Sequence, residues 1–213
     1  MPLKEISIII SDISDTSELL PLILLLLCAS YEKKYNLLKT YFFLTSVLKI
    51  YALVTSRLGI NNMHAYHILS IVELVFMYCF YSIVLNKKNF FYVGLLVLLI
   101  FNIYNTLKFN KVDEFNNVAW ALNASIIIIF GLLYFYELYK KSEYIQIERF
   151  PMFYINAGFL IYASGSFFTY LFGWKILSTD AVGLFHNAWL IQSISNIIKN
   201  IVIANGVWLI KTK

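Results

Sequence analysis

The stretch HNAWLIQSISNIIKNIVIANGVWLI, residues 186–210, decides how this chain is read. Its 25 residues hold no acidic group, and at about 1.5 Å per residue they reach across a hydrocarbon core of about 30 Å with some tilt. It is not a plain apolar anchor. Gln192, Asn196 and Lys199 recur at helical spacing with Ser193, Ser195 and Asn200 beside them, so one face is polar at membrane depth. A cation there costs roughly 2.5–3.5 kcal/mol on insertion scales unless it is paired or wetted. Another part of the chain must therefore face Lys199.

Working outward, six further apolar segments precede it, over residues 16–31, 37–56, 66–85, 90–107, 118–139 and 152–174. All but the first hold eighteen or more mostly apolar residues. The expected fold class is all-α, a polytopic membrane helix bundle with seven transmembrane helices, or six if the first span, short and carrying Pro21, does not cross. Composition agrees: 60 % hydrophobic, 18 % aromatic and 14 % charged residues, with a mean hydropathy of +0.72, against about 25 % charged in soluble proteins. Three prolines and eight glycines leave no linker, so residues 1–213 read as a single integral membrane domain.

The net charge of +5 does not point to nucleic acid, because the basic residues occupy short loops between apolar spans. Lys33, Lys34, Lys39, Lys87, Lys88, Lys140, Lys141, Arg149, Lys211 and Lys213 fall on one side; Lys4, Arg57, Lys108, Lys111 and Lys175 fall on the other. This bias places the C-terminus in the cytoplasm of a bacterial inner membrane. The acidic start of the chain lacks the basic region of a cleavable signal, and Asp15 with Glu18 has the form of a helix-start capping box.

Lys49 lies ten residues from Lys39, Glu73 twelve from Leu85 and Lys199 twelve from Lys211, which puts all three about 15–18 Å from the cytoplasmic ends. A Lys49–Glu73 pair is easy to build between antiparallel neighbours, and bundle closure brings Lys199 alongside. Two lysines against one carboxylate leave a positive excess. The expected ligand or ion path comprises Lys49, Glu73, Asn156, Gln192, Asn196 and Lys199; the competing reading is a structural ion pair with a second lysine neutral or snorkelling.

His64, His67 and His186 form an expected polar cluster at the outer face. Interfacial hydrogen bonding is favoured there over zinc, since no HExxH is present. Arg57 and His64 fit the R-x(4-6)-H spacing of HEPN ribonucleases, but on the outer side, away from RNA. Cys28 and Cys79 read as buried thiols. No phosphate loop, nucleophile elbow or metalloprotease motif occurs, so neither enzyme activity nor a metal or other cofactor is expected. A metal-assisted lipid hydrolase is the third choice, after an accessory protein or effector and a small-molecule or lipid sensor or carrier.

The runs NNMHAYHILSIVELVF, PMFYINAGFLIYASGSFF and HNAWLIQSISNIIKN carry a resemblance to known proteins. Together the chain resembles a group of small multi-span membrane proteins of Bacteroidetes, and with it the membrane accessory protein encoded beside the RNA-guided RNase of type VI-B CRISPR systems. His67 and Glu73 match one element of that group's pattern, Asn156 and Gly158 a second, and His186, Asn196 and Lys199 a third. Ala157 stands where the group has Ser, and Lys49 where an acidic or polar residue is expected. The resemblance implies an accessory or effector role in antiviral defence, through a midplane polar path or a cytoplasmic protein partner, with oligomers allowed. It implies no catalytic residue.

If the basic bias sets the orientation, a reporter fused after Lys213 that is active only in the cytoplasm will be active, and one active only in the periplasm will be silent.

Overall fold

The computed structural model describes residues 3–28, 32–141, 147–173, 175 and 182–211. The described residues are helical and contain no strand. In chain order the helices are α1 (Leu3–Thr16), α2 (Leu19–Leu27), α3 (Lys33–Arg57), α4 (Met63–Val84), α5 (Lys88–Lys108), α6 (Asn117–Lys141), α7 (Pro151–Leu171) and α8 (Val182–Lys211), with a single 3-10 turn at Ile147–Arg149. Five are long and apolar enough to cross a membrane: α3, α4, α5, α6 and α8. α7 falls short on hydropathy, since Asn156, Tyr162, Ser164, Ser166 and Thr169 interrupt its apolar run.

The first span differs from expectation. It begins at Leu3, not near Thr16, and breaks at Ser17 and Glu18. The Thr16 hydroxyl donates to the Asp12 carbonyl at 2.8 Å and the Ser17 hydroxyl to the Ser14 carbonyl at 2.7 Å. Such local bonds compete with helix propagation. Pro21 then falls in the first turn of α2, where its missing N–H costs little. The capping-box reading fails: Asp15 lies in the last turn of α1, and Glu18, though at the N-cap of α2, is itself helical in φ and ψ and caps nothing.

The turn from α3 to α4 is a Schellman closure. Gly59 takes φ +71°, the Ile60 N–H donates to the Thr55 carbonyl at 2.9 Å, and the Gly59 N–H donates to the Ser56 carbonyl at 3.1 Å. We call the end of the bundle with this turn the top.

Helix packing forms a ring. α8 packs most extensively on α7, α7 on α6, α6 on α4, and α4 on α3; α1 and α2 close the circuit by touching both α3 and α8. α5 sits outside the ring against α4 and, slightly, α6. The α7–α8 seam is a close approach, as its small residues foretell. A Cβ on Gly158 would stand 2.7 Å from an Ile203 side-chain carbon and 3.0 Å from the Lys199 carbonyl oxygen; one on Gly206 would stand 2.8 Å from the Pro151 carbonyl oxygen.

The ring is polar inside and apolar outside. Buried residues include Glu18, Glu73, Lys199, Asn123, Asn156, Asn196 and Asn200, whereas Phe43, Val47, Val54, Val93, Leu96, Ile100, Ile194 and Ile201 are exposed. The bottom half is dry. Tyr41 stacks on Phe76 with centroids 4.0 Å apart, Phe76 on Phe80 at 5.1 Å, and Phe159 packs against all three. Tyr41 and Phe42 are thus core residues.

Gly158→Val and Gly206→Val should each lower detergent-phase stability by about 1–3 kcal/mol, the usual cost of overpacking, as a fall in melting temperature. At Gly206 the obstructing atom is backbone and cannot rotate away.

Candidate functional site

The site is assembled where the α1–α2 break meets α3 and α8. Lys49 Nζ donates to Glu18 Oε1 at 2.7 Å, and Lys199 Nζ donates to the same oxygen at 3.2 Å. Asp15 lies 3.6 Å from Lys49. Glu18 and Lys199 are each 1 % exposed and Glu73 4 %, so these charges neutralise one another rather than water doing so. The Lys199 ammonium also lies 4.6 Å from the Tyr162 ring centroid, within cation–π range.

Sequence reasoning paired Lys49 with Glu73, and the structure corrects this. Glu73 accepts a hydrogen bond from Asn123 Nδ2 at 3.4 Å and forms no ion pair among the described residues. The expected positive excess disappears too. Asp15 and Glu18 stand against Lys49 and Lys199, two carboxylates to two ammoniums, with Glu73 apart on Asn123. The cause is that the acidic N-terminal stretch folds into the ring instead of lying outside it.

The signal for this was in the sequence. Asp12, Asp15 and Glu18 recur every three residues, and their partners Arg57 and Lys49 are eight apart on α3. On the adjoining face Asn196 Nδ2 donates to Ser14 Oγ at 2.9 Å and Asn200 Nδ2 to Ser17 Oγ at 2.6 Å. Spacings of three and four on helices crossing in parallel register are the mark of a docked helix.

Of the other expected site residues, Gln192 reaches the neighbourhood and donates from Nε2 to the Tyr170 hydroxyl at 3.3 Å, while that hydroxyl lies 2.8 Å from Tyr162's. Asn196 is spent on holding α1. Asn156 belongs elsewhere: it accepts from the Tyr81 hydroxyl at 2.5 Å and donates to the Gly131 carbonyl at 3.1 Å, tying α7 to α4 and α6. It is a packing residue, not part of a polar path with the lysines.

His64 and His67 do not point the same way. His64 Nε2 lies 2.8 Å from the Tyr51 hydroxyl on α3. His67 turns the other way: its Nε2 faces the Glu114 carbonyl at 3.0 Å and its Nδ1 faces Asn116 Nδ2 at 3.2 Å. A carbonyl demands a donor and an amide nitrogen offers one, which assigns the neutral Nε2–H tautomer. Both ring nitrogens are thereby occupied. Asn116 in turn accepts from Asn105, so His67 locks the α5–α6 loop to α4. The His186 side chain and Asp180 lie outside the described residues. Arg57 forms its ion pair with Asp12, not with His64. Among the described residues no group of three or more His, Cys, Asp or Glu is arranged to hold a metal.

Above the charges lies a cavity of about 340 Å³ reaching the top of the bundle. Asp15, Lys49 and Gln192 are at its polar end, and Tyr66, Phe115, Trp120, Tyr162, Tyr170 and Trp189 form its walls. Comparison with protein-family models, curated proteins and solved structures finds no match to this chain.

Glu18→Gln should be the most damaging single change in the site, costing about 3–5 kcal/mol because it strands buried Lys199 and leaves Lys49 only the more distant Asp15. Glu73→Gln should cost less than half of that. Folded yield by fluorescence-detected size exclusion, with melting curves for both variants, checks the order.

Proposed function

We propose that this chain is a seven-span integral protein of a bacterial inner membrane, its C-terminus in the cytoplasm, and that it works without enzymatic chemistry as a receptor or carrier for a small molecule held in the top cavity. Membrane residence is supported by the apolar exterior of the ring and by five helices of spanning length. α7, and α1 with α2, supply the remaining two crossings. A discontinuous first helix suits this role, since broken helices in membrane carriers bring charged and backbone groups to a midplane site.

The cavity itself carries the reading: a concave space of about 340 Å³, within the roughly 300–1,000 Å³ of small-molecule sites, aromatic on its walls and charged at its floor. Below that floor the stack of Tyr41, Phe76, Phe80 and Phe159 fills the ring. A one-ended pocket favours reception or alternating carriage over a standing ion path. In the antiviral setting that the resemblance implies, occupancy of the cavity would be the signal passed to a cytoplasmic protein partner.

One-sided access is the test. In a Cys28→Ala, Cys79→Ala background, cysteine placed at Ser56 or Asn62 on the cavity rim should react with a membrane-impermeant maleimide added to spheroplasts. Cysteine at Phe80 or Ile155 should not. Steady single-channel conductance of the purified wild-type chain in planar bilayers would refute the pocket reading and restore the gated path.

A further inference from the structure

We infer that the cavity is built for a small organic cation of the choline class, an ammonium group carrying methyl groups on a short stem; this rests on the pocket reading above and names its ligand. Two independent features of the lining carry it. The first is the wall. Tyr66, Phe115, Trp120, Tyr162, Tyr170 and Trp189 surround one volume, with Trp120 and Tyr170 rings 5.3 Å apart and tilted 36°, and Phe115 and Trp189 5.3 Å apart at 83°. Such edge-and-face surrounds offer several π faces to one guest, the arrangement that recognises ammonium ions carrying methyl groups.

The second is charge. Asp15 lines the cavity and is partly accessible from it. The lysine that also lines it, Lys49, is committed to Glu18 at 2.7 Å and to Asp15 at 3.6 Å. An anion would instead have to take Lys49 from two carboxylates, whereas a cationic guest meets the Asp15 carboxylate directly.

The experiment compares three molecules of one shape on the full chain in nanodiscs: choline, its neutral carbon isostere 3,3-dimethylbutan-1-ol, and the anion 3,3-dimethylbutanoate. Binding is read by tryptophan fluorescence and by thermal shift. Choline should bind at least tenfold more tightly than the neutral isostere, with the anion weakest. Asp15→Asn should weaken choline about fivefold or more while leaving the isostere unchanged. Since the isostere series uses the wild-type chain, a poorly folding Asp15 variant does not weaken the test. Equal binding of choline and isostere, or tighter binding of the anion, overturns the cation assignment and leaves the pocket reading standing. No binding by any of the compounds overturns the cation assignment; if the rim cysteines also fail to label, the pocket reading falls with it.

Discussion

One carboxylate oxygen, Glu18 Oε1, receives the ammonium groups of both Lys49 and Lys199, and the ring of helices closes around that shared contact. Each lysine alone would be a strong objection to burial at this depth. Together they need an acidic partner that neither α3 nor α8 can supply, because neither helix contains an acidic residue. The partner comes from a third element and reaches the centre because the helix breaks at Ser17 and Glu18. A continuous helix across this point would carry Glu18 with the regular rotation of α1 and α2, whereas the break frees it to sit between α3 and α8.

The same contact explains how α1 can be held with so little apolar attraction. Lipid tails compete with any apolar surface between helices, so polar pairs and close packing decide association. α1 is fixed by Asp12 to Arg57, Asp15 and Glu18 to Lys49, Ser14 to Asn196 and Ser17 to Asn200. Sliding α1 by one turn would break all of these and leave charges unpaired in a low-dielectric interior. α7 and α8 use the other means: Gly158, Gly165 and Gly206 let the backbones approach until a methyl group would not fit.

Much of the architecture was legible in the sequence, because runs of eighteen or more apolar residues leave few alternatives. Depth counting also grouped Lys49 with Lys199, which meet on Glu18 Oε1. The partner was missed for a definite reason. Four acidic residues in the first eighteen lower local hydropathy, and averaging over a window hides that three of them lie on one helical face. Glu73 was assigned to Lys49 because short loops make neighbours the default partners; Asn123 reaches it from α6 instead, across a longer sequence separation. Asn156 misled through its position, since an amide opening a small-residue helix fits a ligand contact as well as it fits the Tyr81 and Gly131 bonds that it makes. The histidines share an end of the bundle but diverge, because three residues is close to one turn yet leaves about 60° between side chains.

The distribution of polarity along the ring axis also constrains what the site can do. The charge cluster lies in the upper half and at mid-depth, and below it the aromatic packing is interrupted only locally by the Tyr81–Asn156–Gly131 bonds, so a molecule entering from the top meets the charge cluster before it meets a barrier. A cation settling beside Asp15 competes with Lys49 for that carboxylate. Lys49 then leans wholly on Glu18, which Lys199 shares, so the pairing of α1 with α3 and of α2 with α8 is redistributed by one event. A ligand shifts an equilibrium only by its differential contact with two states. α1 is held to α3 by charges that line the cavity and is joined to α2 by a turn of two residues, so these contacts are the ones a guest beside Asp15 meets first.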